Sequence, residues 1–224
     1  MAAETSDAAP QLTLYAESSW MSPWVFHAMV ALEEKLLPYK LEVVSLPLTG
    51  ETRALFERRG VLAKVPLLVH GDVWITESLA ISEYLAERFP TPQHPRIFPA
   101  DLVERARARQ VMSWLRTSLM ALREERPTST VFGRPTKNPL SEKAKADADE
   151  LVRIAGHFIT PGQGTTKTTM FDDWCVADAD LTLMLMRLVH NEDPVPTHIV
   201  EYVLAQWQRP SVRKFLSHIV TTPD

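Results

Sequence analysis

A single cysteine, Cys175, stands in a chain of 224 residues, and one thiol excludes an internal disulfide, a CxxC redox pair and a multi-cysteine zinc site. Such usage fits a reducing compartment, so the cytoplasm is the expected location. Long hydrophobic runs are missing as well. The longest uncharged stretch, Ser18 to Leu32, contains Pro23 and falls short of the roughly 20 apolar residues of a membrane span. The opening MAAETSDAAP has neither the basic start nor the apolar centre of a secretion signal and reads as a loose acidic tail. Excess positive charge is absent too. The chain has 24 Lys and Arg against 28 Asp and Glu, a net charge of −4, which disfavours nucleic acid as a partner. The 7 histidines show no HxxxH or HExxH spacing, Gly162-Gln-Gly164-Thr-Thr-Lys167 lacks the GK[ST] ending of a phosphate-binding loop, and no G-x-S-x-G elbow occurs. A resident metal, a nucleotide and serine-hydrolase chemistry are therefore not expected.

What is present is an ordinary globular composition, 45% hydrophobic and 23% charged, with length for two compact domains. Residues Leu12 to Ala16 alternate as a strand, and a polar loop leads into an apolar-periodic helix reaching Leu36. Pro23 suits the first helical turn, where its missing N–H costs nothing, so Ser22 falls at the N-cap. A second strand is expected from Leu41 to Leu46, then a short helix from Glu51 to Arg59 ended by Gly60. A hairpin over 66–70 and 73–76 turns at Gly71-Asp72, and an amphipathic helix follows from Ser78 to Phe89. The order βαβαββα thus occupies 11–90, and Pro90-Thr-Pro-Gln-His-Pro95 punctuates its end. Beyond Pro99 the pattern is helical throughout, at 101–125, 141–160, 178–191, 197–207 and 210–220, which predicts an all-α second domain over 99–224. The stretch Leu181 to Val189 is apolar around nearly its whole circumference and marks the centre of that domain. Charge divides along the same line, with 7 basic against 12 acidic residues in 1–90 and 17 against 16 in 91–224.

The densest local signal is Lys64-Val65-Pro66-Leu67-Leu68 followed, past the hairpin, by Thr76-Glu77-Ser78. Pro66 either simply starts a strand, or takes a cis bond that turns the Val65 main chain outward as an edge for a short peptide. Ser78 begins a helix, where unpaired amides and the helix dipole favour a carboxylate. Glu77 beside it suits an ammonium, so the pair either caps a helix or holds an α-amino-acid head group. Together these residues resemble those of a cytosolic glutathione S-transferase: a thioredoxin-like α/β domain with Val-Pro before its third strand and Glu-Ser at its third helix, then an all-helical domain. The likeness runs from Leu12 onward. Glu104-Arg-Ala-Arg-Ala-Arg-Gln110, Glu124-Glu-Arg-Pro-Thr128 and Trp174-Cys-Val-Ala-Asp178 resemble the bacterial YfcF-type branch, serine-type.

That resemblance implies a glutathione site built from Lys64, Val65, Pro66, Glu77 and Ser78 in a domain over 11–90, a substrate-binding domain over 99–224, and a homodimer. It implies glutathione as co-substrate, with a small hydrophobic electrophile or an organic hydroperoxide as its partner, and conjugation or peroxide reduction as the reaction. A non-catalytic binding or regulatory protein of the same fold is the alternative. Ser22 occupies the position of the catalytic group, where a hydroxyl would donate to the glutathione sulfur. A free thiol has a pKa of about 8.5, so a depression of about two units makes most of it thiolate at neutral pH. Ser22 is otherwise a plain helix cap, and Ser18 and Ser19 are the rival hydroxyls of the same loop. Tyr15 falls within the first strand. Trp20, Met21, Trp24 and Trp114 are candidates for an apolar substrate pocket or for core packing; Trp24 and Trp114 are favoured for the pocket. Arg105, Arg109, Arg116 and Arg123 recur at helical spacing and make a basic stripe, read as a solvated face, an anion-binding end or a dimer contact. Cys175 to Asp178 resembles the family's capping box, with a weakly accepting thiol at the cap, which leaves Asp178 to satisfy the helix end.

Overall fold

The computed structural model describes residues 11–161 and 167–219. The acidic first ten residues, the connection at 162–166 and the end of the last expected helix lie outside the described residues. The chain begins with β1 (Leu12–Glu17), α1 (Pro23–Glu34), β2 (Tyr39–Val44), α2 (Gly50–Gly60), β3 (Leu67–His70), β4 (Val73–Thr76) and α3 (Ser78–Arg88). One four-stranded sheet results, in the order β2-β1-β3-β4. β1 pairs β2 in parallel because α1 carries the chain back across the sheet, whereas β3 and β4 are joined by a tight turn and run antiparallel. Gly71 occupies that turn with φ 59°, a conformation that costs a glycine nothing.

β2 begins and ends two residues earlier than its hydrophobic pattern indicates. Parallel pairing with β1 fixes its register from Leu12 opposite Tyr39 to Glu17 opposite Val44, so the ladder stops where β1 stops. Alternation in β1 sends Leu12, Leu14 and Ala16 into the main core, while Tyr15 faces the other way and packs against Phe56 and Trp74. Every residue of α1 from Val25 to Leu32 is buried, since α3 covers it on one side and helices of the second half cover it on the other.

The second half is helical: α4 (Leu102–Thr117), α5 (Met120–Glu125), α6 (Ser129–Phe132), α7 (Glu142–Phe158), α8 (Val176–Val189), α9 (Thr197–Trp207) and α10 (Pro210–Leu216). α8 is buried from Val176 to Leu188, as its apolar circumference requires. The expected helix over 101–125 is two helices. Ser118 turns extended and Leu119 left-handed, and the Arg123 guanidinium reaches back to the carbonyls of Ser118 and Leu115, where a cation stabilises a helix C-terminus. Among the described residues no helix is long and apolar enough to cross a membrane.

Candidate active site at the junction of the two halves

Ser22 is the N-cap of α1, with Pro23 at the first helical position. Its Oγ accepts the Val25 N–H at 3.3 Å and its carbonyl accepts the Phe26 N–H at 3.2 Å. Because the amide occupies a lone pair, the hydroxyl proton is left to donate elsewhere. The Ser22 N–H itself donates to Glu17 Oε1 at 2.7 Å. Glu17 is only 3% exposed, and its Oε2 is buried without a partner. No sequence pattern signals this carboxylate, which closes the loop from the end of β1 back onto the cap five residues later. Ser18 and Ser19 are exposed. The Ser18 N–H extends the β2 pairing by donating to Val44 O, and Ser19 Oγ lies 3.5 Å from Glu17 Oε1. Ser22 alone of the three serines caps a helix.

The Val65–Pro66 peptide is cis. Pro66 is buried and Val65 half-buried, and the β3 ladder opens only at Leu67, so the Val65 main chain precedes the paired strand. Glu77 is the N-cap of α3 and has φ 66° and ψ 114°, a left-handed conformation that costs a non-glycine residue about 1–3 kcal/mol and clusters at functional sites. Ser78 is therefore the first helical residue rather than the cap. The first hydrogen bond of α3 runs from the Ile81 N–H to the Glu77 carbonyl, which leaves the preceding amides facing outward. Lys64 Nζ stands 3.8 Å from Glu77 Oε1, with both side chains largely exposed. This corner thus offers unpaired amides for an anion beside a carboxylate for a cation.

Arg116 joins this corner to the helical half. Its Nη2 donates to Ser78 Oγ at 3.3 Å, and its Nη1 bonds the Met112 carbonyl at 2.9 Å and Asp180 Oδ2. Asp180 Oδ1 meets His27 Nδ1 at 2.7 Å. Burial works against a charge on Asp180, yet His27 and Arg116 hold its carboxyl below the ordinary value. Burial pushes the His27 imidazole down despite that neighbouring carboxylate. All four arginines of the stripe are engaged by the protein: Arg105 with the carbonyls of Pro99 and Ala100, Arg109 with both oxygens of Glu83, Arg116 and Arg123 as above.

Trp24 and Trp114 do not share a pocket. Trp24 packs beneath the guanidinium groups of Arg116 and Arg123, 5.8 and 5.6 Å from its ring, at a crevice of about 10 Å³. Trp114 lines a cavity of about 490 Å³ between α4 and α7 with Arg107, Val111, Arg153, Ile154 and Phe158. Two residues apart on α4, Trp114 and Arg116 point some 200° apart, so this cavity and the Ser78 corner lie on different faces of one helix. Trp20 stacks on His218 at 4.3 Å, tying the loop before Ser22 to the turn that follows α10. No cluster of three or more His, Cys, Asp or Glu suited to a metal occurs among the described residues.

Known proteins share this fold. A family model described as the C-terminal domain of glutathione S-transferase matches residues 101–220, and one described as the N-terminal domain matches 21–88. A glutathione transferase homolog from Burkholderia GL BGR1, solved with bound glutathione, is 33% identical, with a TM-score of 0.73 over 93% of this chain and 97% of that one. The Tau class enzyme of mango, Mangifera indica, is 21% identical with a TM-score of 0.67 over 92% of each chain, a likeness of fold. Glutathione S-transferase theta-1 of Bos taurus is 36% identical over 129 residues, 55% of this chain and 53% of that protein. Glutathione S-transferase U13 of Arabidopsis thaliana is 37% identical over 91 residues, 41% and 39% respectively. The chain thus spans about half or less of the length of these two relatives. The C-terminal family model alone covers more than half of the chain, and with the N-terminal model beside it the chain belongs to the glutathione S-transferase family.

Proposed function

We propose that this chain is a glutathione transferase in which Ser22 stabilises the thiolate of glutathione. One observation carries the reading: the Ser22 hydroxyl sits at the N-terminus of α1 and accepts the Val25 amide on one lone pair, which leaves its O–H to donate to a ligand. A donor at the positive end of a helix favours sulfur as an anion over the neutral thiol. Main-chain groups of Val65 before the β3 ladder would pair with the peptide, with cis-Pro66 shaping that edge and Lys64 flanking it. Ser78 and the unpaired amides of α3 would take the γ-glutamyl carboxylate, and Glu77 the ammonium.

In conjugation the thiolate sulfur attacks an electrophilic carbon, a C–S bond forms, and the leaving group departs with its electron pair while the thiol proton passes to solvent. With an organic hydroperoxide the same thiolate attacks the peroxide oxygen, releasing the alcohol; a second glutathione then yields glutathione disulfide and water. Residues 11–90 serve glutathione and 99–224 the second substrate, a small hydrophobic electrophile or hydroperoxide, with Trp114 lining the cavity between α4 and α7; the crevice of about 10 Å³ at Trp24 is too small to hold it. We place the chain in the serine-type, YfcF-like branch and in the cytoplasm, as a homodimer. Retention on immobilised glutathione, with turnover of an aryl halide and of an organic hydroperoxide that falls in Ser22→Ala, supports the assignment. Retention without turnover of either would instead make this a binding protein of the same fold, and no retention would remove the glutathione reading.

A further inference from the structure

We infer that Arg116, on the helical half of the chain, binds the γ-glutamyl α-carboxylate of glutathione and so sets the specificity of a pocket otherwise built from α3. The inference rests on the glutathione reading above and adds a residue to it. Arg116 Nη2 lies 3.3 Å from Ser78 Oγ, at the first residue of α3 and hence at its unpaired amides. The guanidinium is held in place from several directions. The Met112 carbonyl and Asp180 take two of its N–H groups, His27 Nδ1 stands 2.7 Å from the other oxygen of Asp180, and the Trp24 indole lies beneath it. These bonds and the one to Ser78 account for three of the five N–H donors of an arginine.

Two donors are left, and the side chain keeps 14% of its surface in contact with solvent. An arginine serving only Asp180 would have no need to reach α3. This one bridges α8, α4 and α3, so that Asp180, itself 2% exposed, holds a positive charge against the rim of the carboxylate corner. A planar fork already fixed by an ion pair loses little freedom when a carboxylate arrives, and it binds that group with geometric selectivity. The consequence is discrimination among thiols. A ligand lacking the α-carboxylate forfeits the bond to Arg116 whatever its sulfur does at Ser22.

The test pairs a protein change with a ligand change. Dissociation constants for glutathione and for its decarboxylated analogue, 4-aminobutanoyl-cysteinylglycine, are measured on wild type and Arg116→Gln, together with kcat and KM for an aryl halide. Arg116→Gln is expected to weaken glutathione about tenfold or more, as loss of a charged hydrogen bond implies, with the effect in KM for glutathione rather than kcat. The analogue is expected to bind both proteins alike. Equal weakening of both ligands, or unchanged glutathione affinity, would overturn the role of Arg116 while leaving the glutathione reading standing. Wild type that binds no glutathione overturns both. Should Asp180, left unpaired, prevent Arg116→Gln from folding, the charge-balanced double variant R116Q/D180N carries the same comparison. Arg116→Lys, which keeps the charge and loses the fork, is expected to fall between wild type and Arg116→Gln.

Discussion

Ser22 has two tasks at once, and they are separable by experiment. As N-cap it satisfies the Val25 amide, and an alanine there costs about 1 kcal/mol of stability, so Ser22→Ala remains folded while losing its donor to sulfur. The placement of Ser22 depends in turn on Glu17, whose buried carboxylate holds the Ser22 N–H. Glu17→Ala leaves that N–H without its acceptor in a half-buried turn and is expected to destabilise the chain by about 1–3 kcal/mol. Glu17→Gln keeps an acceptor and is expected to lose less. Thermal melts of the two variants check this, and a Glu17→Ala melt identical to wild type would contradict it. At this scale the sequence is uneven. Ser22 is legible because Pro23 marks the first helical turn, whereas Glu17 is one acid among 28 Asp and Glu, and only the closure of the loop shows its partner.

Among the elements, α8 shows how a poor cap is compensated. Cys175 occupies the cap, and Asp178 accepts from the Cys175 N–H at 2.9 Å, the Met170 N–H at 2.7 Å and the Tyr202 hydroxyl at 2.9 Å. Asp178→Ala is expected to cost about 1–2 kcal/mol, read from chemical or thermal unfolding; an unchanged curve would contradict the cap. Burial outweighs these bonds and pushes the Asp178 carboxyl up from 3.8 to about 6. The native state therefore keeps a proton that the unfolded chain has released, so the contribution of Asp178 is fully present below its ordinary pKa and is lost as pH rises through about 6. The melting point of wild type relative to Asp178→Asn should fall between about pH 4 and pH 7, and a constant gap would contradict the shift. Helical periodicity made α7, α8 and α9 visible in sequence but began α8 at 178, two residues late; the resemblance of Cys175 to Asp178 to the family's capping box marked its cap. The break between α4 and α5 was hidden because no glycine or proline marks it; a left-handed Leu119 and the reach of Arg123 produce it. The left-handed Glu77 was hidden for the same reason, since its backbone is fixed by the strand before it and the helix after it rather than by its own type.

Across the whole molecule, α1 serves both halves. It covers the sheet, packs against α8 and α10, and through Glu34 accepts from Nε and Nη2 of Arg209 at 2.9 and 2.7 Å, together with the Ser211 hydroxyl. The halves are therefore expected to unfold in one transition, with far- and near-ultraviolet signals coinciding, and Glu34→Ala is expected to lower stability by about 1.5–3 kcal/mol. Two resolved transitions in wild type would contradict this coupling. The same packing sets Trp24, in the first turn of α1, beside Arg116, whose guanidinium reaches Ser78. Catalysis in this site depends on the glutathione thiolate. Ultraviolet titration of glutathione bound to wild type and to Ser22→Ala tests it most directly. A thiol pKa depressed below its free value of about 8.5 in wild type and restored in Ser22→Ala is the predicted result; a bound thiol whose pKa is indifferent to Ser22 would contradict it and pass the role to Ser18 or Ser19.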